Sequence, residues 1–163
     1  ITSLISPNQT KIFPETYLLN TPASPHAAAK ADGITIDIDK FVVPSTDKDL
    51  IIEGAGGCLV PLNQDHFIAD LIRKTGAEIV LVADLYLGSI NHTLLTIEAL
   101  QRRGLFIRGI IFNGPANPES EDIIMHHSRL RCLLKIPREQ QITQETVQRY
   151  ASLLKLNWNG CPG

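Results

Sequence analysis

From Asp49 onward the chain alternates short apolar runs with amphipathic stretches, and that alternation leaves few folds open. Leu50–Glu53 reads as a first strand, and His66–Thr75 carries Phe67, Ile68, Leu71 and Ile72 at helical spacing, with Gly76 placed as a C-cap. Ala77–Asp84 is almost continuously apolar, as expected of a parallel strand buried on both faces. After a turn at Gly88, the spacing predicts a helix over Asn91–Arg103 with Leu94, Leu95, Ile97 and Leu100 inward, stopped at Gly104. Phe106–Asn113 is a strand and Pro118–Arg131 a helix whose acidic start and basic end suit the helix dipole. Cys132–Pro137 is a further strand and Thr143–Leu154 a last helix. This βαβαβαβα order predicts an α/β fold: a doubly wound, mostly parallel sheet with helices on both faces.

The 163 residues suit one domain over 1–163, with 157–163 as a loose tail. Before residue 45, prolines 7, 14, 22 and 25 interrupt the pattern; a helix starts after Pro25, and Ile38–Val43 reads as another helical segment. A net charge of -2 gives no electrostatic argument for nucleic acid or an anionic membrane as partner. No apolar run approaches the roughly 20 residues that cross a bilayer. The three cysteines share no CxxC spacing, which argues against a disulfide framework and suits a reducing, cytoplasmic setting. Cys58 is best described as a small buried thiol.

Strand ends define the candidate site. Glu53, Asp84, Asn113 and Pro137 close successive strands, and in a doubly wound sheet such ends share one rim, where ligands bind. Glu53 runs into Gly54-Ala55-Gly56-Gly57, a carboxylate followed by bare backbone amides, which suits a magnesium ion and the phosphates it accompanies. A strand end with a tight turn explains the same residues without a ligand. Leu87-Gly88-Ser89-Ile90-Asn91 opens a helix, where free amides attract an anion; N-capping by Ser89 or Asn91 is the simpler account. Pro22-Ala23-Ser24-Pro25-His26 is a rigid entry to a helix, with Ser24 as its cap, or a loop presenting Ser24 to the same rim. Arg129, Arg131, Lys135 and Arg138 read as a solvated face, with Arg138 near enough to a strand end to meet a nucleotide. His92 is a packed or hydrogen-bonded histidine, and His126-His127, adjacent on a helix, point apart and make a poor metal site.

Together these segments resemble dethiobiotin synthase, the ATP-dependent enzyme of biotin synthesis. The resemblance rests on Pro22–His26, on Ile52–Gly57 followed by Val60-Pro61-Leu62, on Leu87–Thr96 leading into a helix that ends in Arg103-Gly104, and on the late Ile136-Pro137. It covers most of residues 10 to 140, in order. It implies a P-loop NTPase-like fold and closure of a cyclic urea on 7,8-diaminononanoate. Carbon dioxide forms a carbamate on one amine, ATP phosphorylates it, and the second amine closes the ring with loss of phosphate. Mg2+ and positioned amides would offset the phosphoryl charge. The resemblance makes Glu53 the catalytic and magnesium-holding acid, with Gly54, Ala55 and Gly56 against the nucleotide or carbamate. Asn113, Gly114, Ile136, Pro137 and Arg138 would frame the adenine. Ser24, Leu87, Gly88, Ser89, Ile90 and Asn91 would receive the substrate, the last group beside a two-fold homodimer interface.

One part of the family pattern has no counterpart. Family members open with a strand and a Gly-x-x-x-x-Gly-Lys-Thr loop and later carry a Lys-Pro segment; no Gly-Lys-Ser/Thr occurs here, and Lys11 and Lys30 are the only lysines before residue 40. That loop supplies an amide cradle, a phosphate-binding lysine and a hydroxyl for magnesium. With Ile1 at the start in place of Met, the expectation is a truncated chain that lacks the strand–P-loop–helix and is inactive by itself. Two alternatives stay open: a cobyrinate-type synthetase domain, and a non-catalytic ligand-binding module of the same fold.

Overall fold

A computed structural model describes Leu4 and residues 10–158. Contacts divide the chain into two compact units, Ile12–Ala77 and a second from Glu78 onward.

The first unit is mostly irregular. Helix α1 (Pro25–Ala31) has Pro25 in its first turn, and its amides at Ala27 and Ala28 bond to the Ser24 carbonyl at 2.9 Å. A single 3-10 turn, Ile38–Lys40, replaces the longer helical segment expected over Ile38–Val43. Asp37 caps that turn, its carboxylate accepting the Asp39 amide at 2.9 Å, and the chain is extended again at Phe41. Helix α2 (Ile68–Thr75) ends where Gly76 turns left-handed, as its sequence predicts. It starts at Ile68 and not at His66, because Phe67 is extended and Asp70 accepts its amide at 2.8 Å. Ala29, Ile36, Leu62 and Ile68 form the core, flanked by Tyr17, Phe41, Val60 and Leu71.

The second unit is built on a parallel sheet in the order β1 (Ile79–Asp84), β2 (Ile107–Asn113), β3 (Cys132–Ile136). Helix α3 (Ser89–Gln101) links β1 to β2, α4 (Pro118–Ser128) links β2 to β3, and α5 (Gln144–Trp158) follows β3. These crossovers are what parallel pairing demands. Phe112, Leu100, Ile110, Ile124 and Leu133 are the largest fully buried side chains. Gly109 is forced by packing: a Cβ there would lie 2.7 Å from the Arg131 carbonyl oxygen and 2.8 Å from Leu133 Cγ. The fold class is the α/β one expected, a parallel sheet flanked by helices.

Further segments differ from the pattern. Helix α4 stops at Ser128, three residues early, because Arg129 adopts a left-handed conformation with φ 57°. Asn157, assigned to a loose tail, is helical, and its side chain donates to the Leu133 carbonyl at 2.8 Å; residues 159–163 of that tail lie outside the described residues. The largest difference is Leu50–Glu53, which forms no strand. A strand exists only as part of a ladder, and no described residue pairs with this one. Ile51 is 92% exposed and Ile52 48%. Among the described residues, no helix is long and apolar enough to cross a membrane.

Candidate functional site

In the first unit, Glu53 is exposed in irregular chain, not at a strand end. The glycine turn behind it is held firmly. Val60 N–H donates to the Gly57 carbonyl at 3.0 Å, and the α2 amides of Ile68 and Ala69 donate to the carbonyls of Val60 and Cys58 at 3.0 and 2.9 Å. Those amides are therefore spent on the turn. Two glycines have steric reasons. A Cβ on Gly54 would meet Ile68 Cγ2 at 3.1 Å, and Gly56, at φ +75°, has Val60 Cγ2 at 3.0 Å. Ala55 is exposed between them, and Cys58 is half-buried where full burial was expected.

The Ser24 loop is pinned by a residue the sequence reading missed. Asp32, just past α1, accepts the Asn20 amide at 2.6 Å and the Thr21 hydroxyl at 2.8 Å. The Asn20 amide, then the Thr21 hydroxyl, hold its carboxyl below the usual range. Ser24 occupies the N-cap position of α1, but its hydroxyl faces His26 Nδ1 at 3.2 Å instead of capping the helix. An Asp directly before Gly33, a positive-φ position, was the signal available.

In the second unit, register brings the strand ends together. Asp84 pairs with Asn113, and Asn113 with Ile136, so two of the expected rim positions form one row, with Ile136 standing in the place expected for Pro137. The strand stops at Ile136, leaving Pro137 and Arg138 exposed just beyond it. Gly114 closes the row. Its amide donates to the Ile136 carbonyl at 2.9 Å. At φ +110° a Cβ would lie 3.0 Å from Asp84 Oδ1, so no other residue type fits without strain.

Beside this row, Gly88 enters α3 at φ 102°. The helix opens at Ser89, two residues earlier than the spacing suggests, and neither Ser89 nor Asn91 caps it; Ser89 N–H donates to the Tyr86 carbonyl at 2.9 Å. Gly88 replaces a capping side chain because its left-handed backbone turns the chain into the helix. Helix geometry leaves the Ile90 and Asn91 amides without intrahelical acceptors. They border a cleft of about 600 Å³ lined by Tyr86, Leu87, Gly88, Ile90, Asn91, Leu94, Asn117 and Ser120. Leu87 is fully exposed, while Ser89 is buried under the helix start. Tyr86, Leu94, Asn117 and Ser120 were not anticipated. Leu94 read as core, whereas Asn117 before Pro118 carries a capping signature that could have placed it; its side chain accepts the Ser120 amide at 3.1 Å. Tyr86 OH meets His92 Nδ1, so His92 is a hydrogen-bonded residue, as expected.

The basic cluster is not simply a solvated face. Arg131 donates to the carbonyls of Arg108 at 3.3 Å and Trp158 at 3.1 Å, and Lys135 Nζ lies 2.5 Å from the buried Glu121 carboxylate. Burial pushes Glu121 up, but hydrogen bonds from Lys135 and the Asn117 amide, with the Lys135 charge, hold it below the ordinary range; Glu121 in turn raises Lys135. Among the described residues no cluster of three or more His, Cys, Asp or Glu could hold a metal ion unaided.

Comparisons with known proteins give one answer. The family model described as "AAA domain" matches residues 1–146. The ATP-dependent dethiobiotin synthetase BioD of Cytophaga hutchinsonii is 50% identical over 159 residues, covering 97% of this chain and 77% of the relative. The protein of that name from Christiangramia forsetii is 46% identical over 151 residues, 93% of this chain and 72% of the relative. A Rhodopseudomonas palustris protein of the same name is 46% identical over 138 residues, 85% and 66%. With matches of this extent over both units, the chain belongs to the dethiobiotin synthetase family.

Proposed function

We propose that this chain serves the ATP-dependent closure of 7,8-diaminononanoate and carbon dioxide to dethiobiotin, through a carbamate and its mixed anhydride with phosphate. The observation that carries the reading is the cleft at the start of α3. A diamino acid of this kind has a carboxylate at one end of an alkyl chain. Amides at Ile90 and Asn91 suit the carboxylate, and the helix dipole adds a favourable field. Tyr86, Leu87, Ile90 and Leu94 suit the alkyl chain. Gly88 lets the backbone approach, and Ser89 is buried at the helix start beside it.

The row Asp84–Asn113–Ile136 supports the nucleotide end of the reading. Asn113 offers an amide side chain for a base edge, and Gly114, Ile136, Pro137 and Arg138 frame it with backbone and apolar surface. Glu53 is the candidate magnesium ligand. One exposed carboxylate fits a hard cation that keeps most of its shell from water and substrate phosphates. Bound there, magnesium would offset phosphoryl charge. Gly54, Ala55 and Gly56 contribute bare backbone, and Ser24 a hydroxyl. No Gly-Lys-Ser/Thr loop lies within the 163 residues, so the grip on the triphosphate is not assigned to a side chain of this sequence. The exposed Leu87 and the open cleft suit a homodimer in which the α3 start faces a partner copy's nucleotide. The absence of CxxC spacing suits a cytoplasmic location.

Calorimetric titration with 7,8-diaminononanoate tests the reading. Binding should weaken roughly ten- to a hundredfold when Gly88 becomes Val, since losing contacts to an anion costs about 1.5–3 kcal/mol. An amine without the carboxylate should bind no better to the unchanged protein than to this variant. Equal affinity of the unchanged protein for the acid and the plain diamine would overturn it.

A further inference from the structure

We infer that Glu121 is a positioning residue that ties the substrate cleft to the nucleotide edge, so that the two ends of the site move as one frame. The inference rests on the functional reading above and extends it to a residue that touches neither ligand. Glu121 is 3% exposed, and its carboxylate is divided between two elements. Oε1 accepts the Asn117 amide at 3.1 Å. Oε2 meets Lys135 Nζ at 2.5 Å. Asn117 is a wall of the cleft and holds Ser120, a second wall residue, through its own side chain. Lys135 precedes Ile136, whose carbonyl accepts Gly114 N–H and whose strand partner is Asn113. One buried carboxylate therefore links the cleft wall to the row that frames the base.

The chemistry favours a positioning role over simple stability. An ion pair between a buried carboxylate and a lysine whose side chain is 59% exposed is weak support for folding, because water screens the attraction while the acid still carries a desolvation cost. What it supplies is geometry, since each oxygen has one acceptable place. Asn117 lies in the crossover between β2 and α4, and loops of this kind are where local opening begins. Holding that loop to β3 keeps the wall from opening when the base site is empty.

The test uses Glu121→Gln, which keeps the shape and removes the charge, and Lys135→Met, which removes the partner. Affinities for 7,8-diaminononanoate and for ADP are measured by calorimetry, and amide exchange is followed at Asn117 and Gly114. Both variants should weaken both ligands by roughly tenfold, the loss of a charged hydrogen bond, and speed exchange at both amides. Lys135→Arg, which restores a donor, should recover both affinities. Ile124→Val lowers stability from the same helix without touching the link, and should leave both affinities unchanged. Weakening of one ligand alone, or of neither, overturns the inference, as does equal weakening by Ile124→Val. If the unchanged protein binds neither ligand, the functional reading fails, and amide exchange decides the link by itself. Faster exchange at both amides in both variants supports it, and an unchanged Gly114 overturns it.

Discussion

Two stretches of this chain have nearly the same sequence character and different fates. Val80–Asp84 is an apolar run ending in an acid, and it is a strand. Leu50–Glu53 is also an apolar run ending in an acid, and it is irregular chain with Ile51 almost wholly exposed. Composition does not separate them; company does. Val80–Asp84 has β2 beside it, and every residue from Val80 to Asp84 finds a partner in the ladder. The lesson is that a run of β-branched residues specifies a strand only where a neighbour supplies the other half of each hydrogen bond.

This contrast can be sharpened by substitution. The largest effect should fall on Phe112, fully buried in the central strand: Phe112→Ala should cost about 3–5 kcal/mol and lower Tm on thermal melting by several degrees per kcal/mol. Gly109→Ala is next, at about 1–3 kcal/mol, because its methyl would collide with the Arg131 carbonyl just before β3; Gly57→Ala, with open space around the new methyl, should lie within about 0.5 kcal/mol of the parent. A smaller effect belongs to pH. Glu121 is depressed in the folded state, so its contribution is complete above its unfolded value and falls away as pH drops through the lower folded one. Lys135 is raised, so its contribution is complete below its unfolded value and is lost as pH climbs through the higher folded one. Acid titration of stability should be flatter in Glu121→Gln below about pH 4, the ordinary range of a glutamate. The smallest effect should be Ile51→Ser, within about 0.5 kcal/mol, whereas Val82→Ser inside β1 should lose more. Equal losses at 51 and 82, read by denaturant melts, would erase the distinction drawn above.

Most of the second unit was legible in the sequence. Ala77–Asp84, Phe106–Asn113 and Cys132–Pro137 are long apolar runs bounded by polar turns, and each became a strand within two residues of its expected limits. The row of strand ends followed from topology alone. What escaped were features set by side chains reaching across the chain. Asp32 holding the Ser24 loop, and Glu121 joining two elements, depend on residues 11 to 14 positions away, and no local period encodes them. Arg129 escaped for another reason: a left-handed residue other than Gly has no strong sequence mark, so the helix seemed to continue.

The paired ends of the three strands also act as a ruler. Neighbouring strands lie about 4.8 Å apart, so Asp84 and Ile136, one strand removed from each other across Asn113, stand about 10 Å apart. Anything that touched both ends of the row would have to span that distance. Gly114 closes the row without a side chain, and since a Cβ there would lie 3.0 Å from Asp84 Oδ1, any larger residue at that position would have to displace Asp84.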